Sequence, residues 1–422
     1  MSRLNKRNFV KQGRQSKKLI VTNKMTRSKI IIVGGGLGGL AAALALAQKK
    51  FDVTVLEQAD RFREVGAGIQ LGPNVFKMFK VLDLVNPIEE LAVFPEALVM
   101  RDAITANEIT RIPINTASFK KQFSFPYGVI YRPDLLNVLK RACEQFSNIK
   151  IIFNKRALTT RQTETSASVI CEDQSSYDAE AIIGADGLWS EIRKNIVDDE
   201  TPRISGHIAY RAVLPLDEVP DKARKNEVIL WAGPKTHLVQ YPLHRGEIMN
   251  LVAVFHSHRY EEGWDVYGES SELKERFSGQ HAYVLDLLAK INSWKMWVLC
   301  DREPVKNWSN GRISLLGDAA HPMLQYLAQG GCMAIEDAVC LAYHLDRQSE
   351  NIIGALQAYQ KNRYLRTARV QLTARFYGDV YHATGPTAEL RDLTLGGRTT
   401  EQAYAGMSWL YNGIDEVGRQ KF

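Results

Sequence analysis

Lys29-Ile30-Ile31-Ile32-Val33-Gly34-Gly35-Gly36-Leu37-Gly38-Gly39-Leu40 is the stretch that decides the fold. An apolar run breaks into glycines, and the glycines give way to Ala41-Ala42-Ala43-Leu44-Ala45-Leu46-Ala47. The pattern is that of a buried strand, a tight turn and an alanine-rich helix. Gly34, Gly36 and Gly39 supply G-x-G-x-x-G: the first allows the turn, the second lets backbone approach a pyrophosphate, and the third packs helix on strand. The helix N-terminus offers unpaired N–H groups and a partial positive charge to phosphates. A second strand, Asp52–Leu56, ends in Glu57, 18 residues after Gly39, which suits the acid that binds a ribose hydroxyl pair. Together these elements predict an α/β, Rossmann-like unit for a dinucleotide.

The 422 residues can hold one large or two ordinary domains, and 45% hydrophobic with 24% charged residues is the balance of a soluble globular chain. The net charge of +7 belongs to a tail. Residues 1–24 carry eight basic residues (Arg3, Lys6, Arg7, Lys11, Arg14, Lys17, Lys18, Lys24) and no acid, and setting them aside leaves −1. Nucleic acid is therefore not an expected partner. The tail lacks the apolar segment of a secretory signal, and residues 1–28 are expected to be a basic, disordered extension, with Met25 an alternative start. No apolar run is long enough to span a membrane. The five cysteines show no C-x-x-C spacing, so reduced thiols are expected, with neither disulfides nor a metal site, in a cytoplasmic setting.

Along the chain, Gly66 and Gly68 mark a close-approach loop before Gln70 and Leu71, and Pro73-Asn74 opens an amphipathic helix. Residues 93–130 look β-rich and irregular. Arg132 opens a further helix, placed to pair with Asp134 or to reach an anionic ligand. Asp186-Gly187 is a turn, with Ser190 a cap for the helix behind it. Residues 206–300 alternate as a mostly antiparallel sheet and close with a helix over 271–292. Another buried strand ends in Gly317-Asp318, putting a carboxylate where open α/β sheets bind ligands. A glycine-rich helix start follows at Gly330. Residues 354–376 form a helix whose Lys361, Arg363, Arg366, Arg369 and Arg375 read as a solvated face. The expected division is 29–205 with 301–376 for the cofactor, an inserted sheet domain over 206–300, and a C-terminal segment, helical in part, over 377–422.

Taken in order, the glycine motif, the segment from Asp186-Gly187 to Arg193 and Gly317-Asp318-Ala319-Ala320-His321-Pro322 resemble the single-component FAD-dependent aromatic hydroxylases. The resemblance spans residues 29–380. It implies that Gly34, Gly36, Gly39 and Glu57 hold the ADP half of FAD and that Asp318 holds the ribityl chain. Asp186 would lie near FAD and the nicotinamide nucleotide. Gln70, Leu71 and Arg132 would join the FAD site, and Pro322 would stand against the reactive edge of the flavin. Segments 236–243, 321–327 and 409–413 resemble the branch of that family that converts 3-hydroxybenzoate to gentisate with NADH and O₂, through a flavin C4a-hydroperoxide. That likeness puts His237, Tyr241 and Gln325 on substrate-site positions. Hydroxylases of 6-hydroxynicotinate and of salicylate are the neighbouring alternatives, and a nucleotide-binding regulatory protein using the basic tail is the alternative from another class. The family also allows a homodimer.

The residues suit that chemistry. Ionising a phenol of pKa about 10 at pH 7 costs roughly 4 kcal/mol, and a histidine near pKa 6.5 is matched to take the proton. On a strand, His237, Val239 and Tyr241 share one face, and Leu238 and Gln240 the other. Without the resemblance, His237 reads as an ordinary strand histidine and Tyr241 as sheet packing. The His256-x-His258 pair has no third ligand in view.

Overall fold

The apolar run Lys29–Val33 lies at the centre of a six-stranded sheet. The computed structural model describes residues 28–62, 67–199, 201–257 and 266–420. The basic tail, Met25, Gly66 and His258 lie outside the described residues. The sheet order is Ser309–Asn310, Ile313–Leu315, Ala181–Gly184, Lys29–Val33, Asp52–Leu56, Ile149–Ile152, parallel except at the first pair. A parallel sheet is covered on both faces, so its strands read as continuous apolar runs. Ile30, Ile31 and Ile32 are accordingly fully buried. The helix Leu37–Gln48 packs beside the helix Gly330–Arg347, where a Cβ on Gly38 would come within 3.1 Å of the Ala334 methyl.

A second, mostly antiparallel sheet carries eight strands in the order Tyr267–Gly268, Trp294–Asp301, Arg203–Pro215, Ile248–His256, Thr236–Leu243, Val228–Gly233, Ala97–Asp102, Glu108–Pro113. The expectation confined it to 206–300. Ala97–Asp102 and Glu108–Pro113 extend it, because Ala97–Asp102 pairs in parallel with Val228–Gly233 and turns Ala97 and Val99 into the same core as Trp231 and Leu238. The helix expected over 271–292 is two helices, Ser270–Arg276 and Ala282–Ala289. Gly279, at φ +82°, lies between them in a conformation unfavourable to other residues. The boundary expected at 376/377 falls inside the 30-residue helix Ile352–Tyr381. Beyond it, Tyr404 and Tyr411 pack into the main core of their own chain.

The basic face of that long helix needs the largest correction. Lys361 is exposed, but Arg363 and Arg366 are buried. Arg363 donates from Nε to Asp337 (2.6 Å) and from Nη1 to Glu336 (2.7 Å), while Arg366 donates to both Glu336 oxygens at 2.7 Å. Arg366 also binds the carbonyls of Trp409 and Leu410. Arg369 stacks on Trp409, 4.1 Å from the ring centre, and Arg375 pairs with Asp301 at 2.6 Å. Arg363, Arg366 and Arg375 turn inward because buried carboxylates lie opposite them, and an uncompensated charge there would be very costly.

Removing one partner of such a pair costs about 3–5 kcal/mol. Arg363→Met should therefore lower the urea midpoint strongly, whereas Lys361→Met on the same helix should change the unfolding free energy from the same titration by no more than about 0.5 kcal/mol. Burial acts to raise the Glu336 and Asp337 carboxyls. Arg366 and Arg363 outweigh it for Glu336, His321 and Arg363 for Asp337, and both end below the ordinary range. That stabilisation is full above the unfolded carboxylate range, about pH 4, and is lost as pH falls through the lowered values. Acid titration of stability should show this limb in the wild type and a shallower one in Arg363→Met.

Candidate active site

One cavity of about 950 Å³ runs from the glycine turn to the face of the second sheet. At the first end, Gly34 sits at φ +103°, and a Cβ on it would strike the Ala185 carbonyl at 2.4 Å. A Cβ on Gly39 would lie 1.9 Å from the Gly34 oxygen. A Cβ on Gly36 meets nothing and would project into open space. The Glu57 carboxylate is held at the mouth by two backbone donors, Gly35 N–H to Oε2 (2.8 Å) and Ala59 N–H to Oε1 (2.9 Å). The N-termini of Leu37–Gln48 and Gly330–Arg347 both open on this cavity, a paired positive field suited to an anion.

Asp186 accepts from the Ser190 hydroxyl (2.6 Å) and the Ile192 N–H (3.2 Å), and Ser190 caps its short helix by accepting from the Arg193 N–H. Asp318 is open to the cavity but surrounded by protein, and this enclosure pushes its carboxyl above the usual range, as burial does for Asp186. Gln70 and Arg132 line the same space, and Gln70 accepts a hydrogen bond from the Tyr127 hydroxyl. Anion-seeking helix ends, an open glycine and acceptors for hydroxyl groups fit FAD. Three expected residues do not reach the cavity wall. Gly39 packs beneath the turn, Leu71 is fully buried, and Pro322 is buried with its carbonyl bound to Gln371 (3.0 Å).

The other end is set by strand register. His237, Val239 and Tyr241 line the cavity, while Leu238 enters the second core and Gln240 accepts from the Trp231 indole (2.9 Å). His237 lies level with Val254 and Ala209 on the neighbouring strands, and Val239 with Val252 and Arg211. His237 and Arg211 are thus two strands and two residues apart, about 12 Å between backbones. Gly68 is glycine because a Cβ there would enter the Tyr241 ring at 2.5 Å. Gln325 arrives from the cofactor side and accepts from Arg211. Arg211 is half-buried against Trp297, its charge 5.1 Å from the ring centre, and its buried Nε has no hydrogen-bond partner among the described residues. Burial lowers its pKa, and the guanidinium remains a cation.

The family described as FAD binding domain matches residues 27–372. The chain belongs to the FAD-dependent aromatic hydroxylase family. It is 40% identical over 395 residues to 3-hydroxybenzoate 6-hydroxylase 1 of Aquipseudomonas alcaligenes, covering 93% of this chain and 100% of that one. It is 31% identical to 6-hydroxynicotinate 3-monooxygenase of Bordetella bronchiseptica, over 82% of this chain and 90% of that one. In fold it is similar to Klebsiella pneumoniae HpxO complexed with FAD and uric acid, with a TM-score of 0.82 at 25% identity over 92% and 97% of the two chains. Membership makes the chain an enzyme of this family rather than a regulatory nucleotide binder. Among the described residues, no helix is long and apolar enough to cross a membrane.

For such a hydroxylase, the structure adds groups that the sequence reading missed. Arg211 was legible only as one cation in an apolar strand. His237 is buried, and its Nδ1 lies 2.7 Å from Nε2 of His382, 145 residues away in sequence. His382 Nδ1 lies 3.1 Å from His256 Nε2, and His207 shares a 2.5 Å hydrogen bond with the Tyr326 hydroxyl. The sequence offered no third imidazole beside His256. His382 supplies one, and ring nitrogens of His207, His256 and His382 lie within 4.8 Å of one another. Both His382 nitrogens are already engaged, by His237 and His256.

Gly36→Val tests the cradle. Its side chain displaces no protein atom, so the apoprotein should keep its urea midpoint. FAD content, read by flavin absorbance, should fall by about tenfold or more, the effect of 1.4 kcal/mol.

Proposed function

We propose that this enzyme hydroxylates a phenolic aromatic acid, 3-hydroxybenzoate to gentisate, consuming NADH and O₂. The observation that carries the reading is one cavity lined both by a half-buried cation, Arg211, and by a neutral buried imidazole, His237. An aromatic acid offers a carboxylate to the first and a phenol to the second. The 3-hydroxybenzoate 6-hydroxylases among the relatives support the same substrate.

Each side chain has a role that its surroundings permit. The Arg211 guanidinium, which lines the cavity, meets the carboxylate, in a site where charge-assisted bonds are strong. Gln325, steadied by Arg211, orients the phenolic oxygen. Burial pushes the Tyr241 hydroxyl up, so it stays protonated and donates. His237 is held down at about 3, chiefly by burial and then by His207, so it is neutral and accepting at neutral pH. A nearby cation favours the phenolate. Even so, a base of pKa about 3 holding the proton of a phenol of pKa about 10 is disfavoured by roughly seven orders of magnitude. His237 therefore accepts the proton without storing it. Bound FAD would supply the redox chemistry, accepting hydride from the nicotinamide and activating O₂.

A substrate screen tests the reading. 3-Hydroxybenzoate, 6-hydroxynicotinate and salicylate are compared by loss of NADH and NADPH and by product identity. Gentisate from 3-hydroxybenzoate with NADH is expected, and a different preferred substrate or regioisomer would contradict it. Arg211→Met should raise the Kd for 3-hydroxybenzoate about a hundredfold, matching the roughly 2.7 kcal/mol of a charge-assisted bond. It should leave binding of neutral 3-hydroxybenzyl alcohol unchanged in the same titration.

A further inference from the structure

A base that cannot hold its proton needs somewhere to send it, and the rings behind His237 form a continuous chain. His237 Nδ1 faces His382 Nε2 at 2.7 Å, and His382 Nδ1 faces His256 Nε2 at 3.1 Å. Register explains the arrangement. His237 is level with Val254, so His256 lies two residues further along the adjacent strand on the same face. His382 is the residue that ends the helix Ile352–Tyr381, and it spans the two strand histidines. The chain begins in the cavity, because Nδ1 is engaged and Nε2 is the nitrogen left for a bound molecule. It ends at His256, which is half-buried and stacks with half-buried His207 at 4.2 Å between ring centres.

We propose that His237, His382 and His256 form the exit route for the phenolic proton. The route rests on the reading of His237 as the base. At the start each ring carries its hydrogen on Nδ1. The phenolic O–H bond breaks as His237 Nε2–H forms. The His237 Nδ1 hydrogen passes to His382 Nε2, the His382 Nδ1 hydrogen to His256 Nε2, and the His256 Nδ1 hydrogen to water. One proton leaves, the substrate becomes its phenolate, and no ring is left charged. All three rings end in the other tautomer, and the reverse passage, when the product oxygen is reprotonated, resets them.

The surroundings favour transfer over storage. Burial holds His237, His382, His207 and His256 all below the ordinary imidazole range, and the neighbouring imidazoles push His237, His382 and His207 further down. Tyr326 and Tyr381 face the His237 ring. Lys235, Asp379 and Arg276 surround His256, two cations against one anion, so a standing imidazolium is disfavoured at the exit as well.

The test mixes FAD-loaded enzyme with 3-hydroxybenzoate in a stopped-flow instrument. Phenolate absorbance reports ionisation, and an indicator dye in weak buffer reports the released proton. Wild type should ionise the substrate and release one proton at the same rate. His382→Ala should keep its FAD but slow both signals about a hundredfold, and added imidazole should restore them. His256→Gln should slow proton release, and it decides the matter by the same signals if His382→Ala does not retain FAD. Ionisation at the wild-type rate in His382→Ala, a deficit that imidazole does not repair, or stoichiometric zinc on these histidines in the purified protein would each overturn the route. Wild type that binds 3-hydroxybenzoate without ionising it would remove the base reading too, so the two failures are distinguishable.

Discussion

The carboxylate of Asp337 fixes the turn behind the cofactor end of the site to the helices that support it. One oxygen pairs with His321 Nε2 at 2.6 Å and accepts from the Gly317 N–H at 3.0 Å, while the other accepts from Arg363 Nε at 2.6 Å. The turn that presents Asp318 is thereby fixed to the helix Gly330–Arg347 and to the long helix behind it. Glu336 extends the pairing to Arg366, and Arg366 to the C-terminal carbonyls. A buried ion network is weak evidence for net stability, because desolvation offsets most of the attraction. What it does supply is a single arrangement. Losing one member strands the others, so the turn, both helices and the chain end hold their places together.

The cavity in front of that arrangement has two unlike walls. The glycine turn and two helix ends form an anion-seeking wall, and the sheet face with His237 and Tyr241 forms the other. Gln325 stands on the connection between them and touches Arg211 from the sheet. Side chains held by one another in this way can position a bound molecule without reorganising, as differential stabilisation of a reacting state requires.

Local physics made half of this legible. A tight turn needs glycine at Gly34, and a period of two puts His237 and Tyr241 on one face, so both could be read from short stretches. The rest depends on partners distant in sequence. Arg363 and Arg366 look solvated until Glu336 and Asp337 are placed opposite them. His382 lies 145 residues from His237 and shares no pattern with it. Ala97–Pro113 looked irregular because its neighbour in the sheet, Val228–Gly233, comes more than a hundred residues later. Pro322 shows the converse. It sits in a family-like segment, yet its ring is buried away from the cavity wall.

The central claim is that a phenolic acid lies between Arg211 and His237 beside the cofactor. A crystal structure of the FAD-bound enzyme with 3-hydroxybenzoate measures this directly. The carboxylate is expected on the Arg211 guanidinium and the phenolic oxygen within hydrogen-bond reach of His237 Nε2 and Gln325. A substrate ring bound with its carboxylate toward His237, or outside the face formed by His237, Val239 and Tyr241, would contradict it.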